Sequence, residues 1–243
     1  MFSTLLREWR GLRGWSQMEL ALSAQVSTRH LSFIESERAR PSAEMVLRLA
    51  AALDLPLRDR NGLLVAAGFA PQFGDSDWHS PAMADVRQAV GLLLAAHEPR
   101  PAIVLDGAFG ILDANPAARS LIGLGPGAPD LNLVDLVFIP GPVREAIVNW
   151  TDVAEYLLHR MREGTRRRGP QSPIAGVLRR AMAQPGASSL SDARSHWRVA
   201  VLLPLEFRSE GRVTRWFTTV TSFGAPQDAL AEEITIEQFH PIV

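Results

Sequence analysis

Between Thr28 and Arg40 the chain sets side chains whose chemistry suits the edges and phosphates of a nucleic-acid duplex. The Arg29 guanidinium can donate two parallel bonds to guanine O6 and N7, a pairing worth about 1–3 kcal/mol of discrimination. Thr28 and Ser32 carry hydroxyls that reach base edges or phosphates, and Phe33 can cover a thymine methyl. Arg38 and Arg40, a few residues on, are suited to hold phosphates and fix register. Each has a plainer reading when taken alone, with Arg29 a solvated cation and Phe33 a minor part of a core. A second set lies beyond residue 100. Phe109, Phe138, Trp150, Trp197, Leu203 and Trp216, with Phe217 and Phe223, can fill a solid core or line a cavity. A long-chain apolar molecule in such a cavity gains about 0.8 kcal/mol for each buried CH₂.

Other chemistries find little support. The six histidines (His30, His79, His97, His159, His196 and His240) show no i,i+4 pairing, and with no cysteine in the chain a zinc site is not expected. Zero cysteines also exclude disulfides and thiol chemistry. There is no G-x-S-x-G nucleophile elbow. Gly123, Gly125 and Gly127 alternate, but prolines interleave them and no helix opens at the last, so a surface loop is expected over Gly123 to Pro129. The arginine run from Arg160 to Arg168 reads as a solvated helix end favoured by the helix dipole. With no polar catalytic constellation in residues 100–243, the expectation is a protein that is not an enzyme, holding no metal and no resident cofactor.

The elements that position the first set can be read from Trp15 to Glu35. Ser16 with Glu19 three residues on forms a capping box that opens a helix ending near Ser23. Ala24-Gln25-Val26 supply a turn with one buried anchor, Val26. Ser27 can cap a second helix from Thr28 to about Glu35. Its inner side is Leu31 and Ile34, and helical spacing puts Thr28, Arg29, Ser32 and Phe33 on the opposite side. Two short helices with a polar outer face on the second make a helix-turn-helix, and so a DNA-binding reading.

Residues 5–68 resemble the lambda-repressor-like DNA-binding domain of the XRE class. LREWRGLRGWSQMELA is similar to that family's first two helices, STRHLSFIESERARPSAEMVLRLAAAL to its third and fourth, and LRDRNGLLVAAGF to a fifth. The resemblance implies a DNA contact for Gln17 at the start of helix two and base reading at Thr28 and Arg29, with Ser32 and Phe33 one turn later. Ser27 completes the expected DNA-binding set. An Arg10–Glu35 pair between helices one and three is also implied. The family usually has Gly in the turn after helix three, where this chain has Ser36-Glu37.

The 243 residues allow about two domains. The first 60 residues carry nine Arg and seven acids, and the remainder 16 basic and 19 acidic residues, so the positive excess sits on the N-terminal part. All 25 basic residues are Arg, which with abundant Ala and Gly suggests a GC-rich, bacterial genome. Residues 71–80 (Pro71 and Gly74 among small polar residues) read as a linker between domains at 1–70 and 81–243. A helix follows from near Pro81 to about His97, with Met83, Val86, Val90, Leu93 and Leu94 as its apolar stripe. Strands are expected over Ala102–Leu105 and Gly110–Ala114, with a turn at Asp106-Gly107, then a helix capped by Asn115-Pro116. Thr151 is expected to cap a further helix, and Pro173 to begin another. Strands over Arg198–Arg208, Thr214–Ser222 and Glu233–Phe239 close the chain, the first two joined by a turn at Ser209-Glu210-Gly211. On the middle strand either Trp216, Thr218 and Val220 face inward or Phe217, Thr219 and Thr221 do; the first set is favoured as the more apolar.

This order gives an α+β, PAS-like domain with an antiparallel sheet behind the all-α domain. HEPRPAIVLDGAFGILDANPAARSLIG, Asn149-Trp150 and FRSEGRVTRWFTTVTSFGAPQDALAEEITIEQFHP resemble the ligand-binding domain of MmyB-like transcription regulators. The resemblance implies a small apolar, fatty-acid-like effector. The expected whole is a cytoplasmic, nucleoid-associated transcription regulator binding a palindromic operator as a homodimer. Its longest apolar runs, Ala89–Ala96 and Val199–Leu205, fall far short of the ~20 residues of a membrane span. The alternative is a DNA-binding protein whose second domain is a dimerisation or protein-interaction module with no small ligand.

Overall fold

The computed structural model describes residues 2–123, 131–190, 202–209 and 211–242. Most of the loop expected over Gly123 to Pro129, Trp197, the first residues of the strand expected from Arg198, and Glu210 of the hairpin turn lie outside them. The chain forms two compact units. One is Met1–Asp75 with Arg166–Pro170 and Ala225–Glu232; the other is Ser76–Thr165 with Gln171–Gly224 and Glu233–Val243. The helical unit therefore takes in two short segments from far along the chain, which a single linker at 71–80 does not anticipate.

The first unit holds α1 (Phe2–Leu12), α2 (Gln17–Ser23), α3 (Thr28–Glu35), α4 (Ala43–Ala52) and α5 (Leu57–Ala66). Three of these helices start on serine. The Ser16 hydroxyl accepts from Glu19 N at 3.2 Å while Ser16 N donates to Glu19 Oε2 at 2.6 Å, closing the capping box. Ser27 accepts from His30 N at 3.1 Å and Ser42 from Met45 N at 3.2 Å. Pro56, before α5, has no such side chain, and Leu57 N donates instead to Glu232 Oε2 at 2.7 Å within the same unit. Leu6, Leu20, Leu31, Ile34, Leu49 and Leu63 form the centre of the core. Glu37 takes the left-handed conformation after α3 (φ 62°), where glycine is the more comfortable residue.

The second unit begins with a 3₁₀ turn at Pro81–Met83 and α6 (Ala84–His97). Met83, Val90 and Leu94 of the expected stripe are buried, whereas Leu93 is exposed and His97 takes the inward position at the helix end. Then follow β1 (Ala102–Leu105), β2 (Ile111–Ala114), α7 (Pro116–Leu121), α8 (Leu133–Phe138), α9 (Pro142–Ala146), α10 (Trp150–Arg168, its last three residues counted with the first unit), α11 (Pro173–Met182), β3 (Leu205–Ser209), β4 (Arg212–Ser222) and β5 (Thr235–Pro241), while α12 (Ala229–Glu233), between β4 and β5 in sequence, belongs to the first unit up to Glu232. Thr151 does not cap α10, which already includes Trp150. The preceding Asn149 bonds instead to the chain entering β3, donating to Pro204 O at 2.7 Å and accepting from Glu206 N at 3.0 Å.

The sheet is antiparallel throughout, in the order β2-β1-β5-β4-β3. The last strand lies at its centre and joins the β1–β2 and β3–β4 hairpins, a topology compatible with the PAS-like expectation. Register fixes the faces. Glu237 is opposite Ile103 and Val220, Phe239 opposite Thr218, and Trp216 opposite Leu205, so these share one face. That face packs under α8, α10 and α11 through Phe138, Leu157 and Val177. Trp216 and Thr218 thus point inward and are partly buried, whereas Val220, expected with them and on the same face, is 50 % exposed. Phe217 is on the other face, its ring stacked on His240 at 4.9 Å, where His97 of α6 also packs.

Candidate functional site

On α3, Thr28 and Arg29 are exposed and Ser32 and Phe33 half-buried, while Leu31 and Ile34 are fully buried. Arg29 and Phe33 are four residues apart, one helical turn, and the guanidinium carbon lies 5.4 Å from the Phe33 ring centroid. Arg38 and Arg40 are exposed just beyond the helix. Ser27 serves α3 as its cap, so its hydroxyl already accepts one bond. The expected Arg10–Glu35 pair is present: Arg10 Nε and Nη2 donate to the two Glu35 oxygens at 2.7 and 3.0 Å. The Glu35 hydrogen bond raises the Arg10 pKa despite burial acting the other way. Gln17 Nε2 also donates to Glu35, at 2.7 Å. One buried carboxylate on α3 thereby fixes α1 and the start of α2, and orients the Gln17 amide expected to meet DNA.

A cavity of about 640 Å³ opens inside the second unit. Its lining is mainly aliphatic: Ile103 from β1, Leu121 and Ile122, Leu133 and Val137 from α8, Val143, Ile147, Val153 and Leu157, and Leu203 to Leu205 with Phe207. Phe217 and Thr218 of β4 and Phe239 of β5 also border it. The polar contribution comes from Tyr156, His159 and Arg160 of α10 and Glu237 of β5.

Of the residues expected to line this space, Leu203 does so and Trp197 lies outside the described residues. Phe109, Phe138, Trp150 and Trp216 do not border it and pack in the surrounding core. Each ring is committed elsewhere. Trp150 Nε1 donates to Val137 O at 2.8 Å, with Arg144 4.0 Å over its ring and Phe138 edge-on at 6.2 Å. Phe138 is fully buried. Phe109 lies under Arg160 at 5.0 Å, and Trp216 Nε1 donates to Thr214 at 2.9 Å. These four rings pack behind the lining, where the rings that border the space are Tyr156, Phe207, Phe217 and Phe239 among mostly aliphatic groups.

Sequence reasoning missed Arg160 and Glu237. Arg160 Nη1 donates to Glu237 Oε1, joining α10 to the centre of the sheet. Burial acts to lower the Arg160 pKa, and the adjacent carboxylate more than offsets it, leaving a net rise. One signal was available. Period two along Thr235–Phe239 puts Glu237 on the same buried face as Phe239, and a buried carboxylate requires a partner.

A helix-turn-helix with an exposed basic reading face, joined to a sheet domain with an apolar cavity, defines a DNA-binding regulator with a ligand-binding domain. Residues 86–242 match the MmyB-like transcription regulator ligand binding domain, and residues 6–59 match the Helix-turn-helix family. The chain belongs to the MmyB-like transcription regulators. No curated protein matches it. Among the described residues, no helix is long and apolar enough to cross a membrane.

Proposed function

We propose that the protein controls transcription as a homodimer on a palindromic operator, in response to a long-chain, fatty-acid-like effector held in the second unit. The observation that carries the effector is the cavity. Its volume of about 640 Å³ lies within the ~300–1,000 Å³ of small-molecule sites, and its walls are mostly aliphatic. Such walls favour an alkyl chain, which gains about 0.8 kcal/mol per buried CH₂. At the operator, Thr28, Arg29, Ser32 and Phe33 read bases, while Arg38, Arg40, Gln17 and the α3 N-terminus at Ser27 hold the backbone. The test is a tryptophan-fluorescence titration with fatty acids of increasing length. Affinity is expected to rise steeply with each added CH₂ until the cavity is full. No saturable binding at any length, by protein shown to be folded, would leave the second unit as a dimerisation or partner-binding module.

A further inference from the structure

Arg160 and Glu237 border the cavity in direct contact with one another, so their formal charges cancel. Among the described lining residues no other arginine or carboxylate is present, and Tyr156 and His159 are the remaining titratable groups. The guanidinium also lies over two rings, its carbon 5.0 Å from the Phe109 centroid and 5.8 Å from that of Tyr156. Glu237 is only 6 % exposed, so water screens it poorly. An ionised carboxylate entering beside this contact would lose its own hydration and meet the Glu237 charge as well as that of Arg160. The repulsion offsets the attraction, and the desolvation cost remains. A neutral group that both donates and accepts fares differently. It can donate to the Glu237 carboxylate and accept from the Arg160 guanidinium without breaking their contact.

We infer that the effector's polar end is uncharged and carries both a donor and an acceptor, as in the primary amide of a long-chain acid, and that Arg160 and Glu237 recognise it together. This rests on the long-chain reading of the cavity given above. It narrows the effector from fatty-acid-like molecules in general to neutral derivatives of them.

The experiment compares decanoate with decanamide on the full chain near neutral pH, by tryptophan fluorescence with calorimetric confirmation. The two probes share a chain length and differ only at the head. Decanamide is expected to bind about tenfold or more tightly than decanoate. Glu237→Gln removes the carboxylate that repels decanoate, and should reverse that order if circular dichroism shows the variant folded. Equal or tighter binding of decanoate by the unmodified chain overturns the inference, whether or not the variant folds. A folded Glu237→Gln protein with the original order removes Glu237 from the recognition and overturns it too. Binding of neither probe by folded protein fails one step earlier, rejecting the long-chain reading on which the inference stands.

Discussion

Arg29 owes its position over the Phe33 ring to helical spacing, and the stacking holds a flexible side chain in a defined direction before any DNA arrives. Arg29→Ala is expected to cost about 1–3 kcal/mol on the specific operator and much less on random DNA. Arg40→Ala should weaken binding to both about equally and flatten the salt dependence by about one unit of slope. Binding titrations on both DNAs at two salt concentrations separate the two roles, and equal losses on both DNAs for Arg29→Ala would reject base reading. The outward placement of Thr28 and Arg29 was legible in the sequence because capping and helical period together say which side of α3 is outward. The Arg160–Glu237 contact was not, since Arg160 opens a run of arginines that reads as a solvated helix end. Only the meeting of α10 with β5 across the sheet separates Arg160 from the rest of that run. The aromatic set misled for a related reason. Hydrophobicity places a ring inside the unit but does not say whether it borders a space or fills one.

At the scale of elements, the local signals are those that chain neighbours can satisfy by themselves, and the sequence shows them clearly. The Ser16–Glu19 box opens α2 where expected, and Asn115-Pro116 opens α7. Asn115 does more than cap. Its Oδ1 accepts from Ala118 N and from Ala102 N, both at 3.0 Å, and its Nδ2 donates to Arg100 O at 2.8 Å. One side chain, 2 % exposed, ties the start of β1 to the start of α7. Asn115→Ala leaves these groups unpaired in a buried place and is expected to destabilise by about 2–3 kcal/mol, measured by chemical denaturation. A loss no larger than that of an ordinary exposed cap would show that water replaces the amide.

Glu37 tests the opposite sign. A non-glycine residue in the left-handed region costs about 1–2 kcal/mol, against which Ser3 Oγ donates to Glu37 Oε1 at 2.5 Å. That contact is at an exposed carboxylate and contributes little. Glu37→Gly should therefore stabilise the chain by about 1 kcal/mol, visible as a rise in the denaturation midpoint; a fall would mean the Ser3 contact outweighs the backbone strain. What local signals did not reveal is pairing at a distance. Glu232 capping α5 and Asn149 bonding to the chain at Pro204–Glu206 join residues far apart in sequence, with no periodicity to announce them.

For the whole molecule, the two family matches separate the DNA-binding part at residues 6–59 from the ligand-binding part at residues 86–242. The proposed dimer places two α3 helices in major grooves about one turn of DNA apart, ~34 Å. Inserting half a turn between operator half-sites should therefore abolish tight binding, and a full turn should restore more of it than the half turn does. Regulation by an effector then makes a quantitative demand. If the effector changes operator affinity by some factor, the operator must change effector affinity by the same factor, because the two binding steps share one thermodynamic cycle. Coupling of about 1–3 kcal/mol, roughly 5–150-fold, is the expected size. Four titrations close the cycle: operator with and without saturating effector, and effector with and without saturating operator. Equal factors different from one are expected. Saturable effector binding with a factor of one in both directions would mean the effector binds both states equally well, and would reject it as the regulatory signal while leaving the cavity a true binding site.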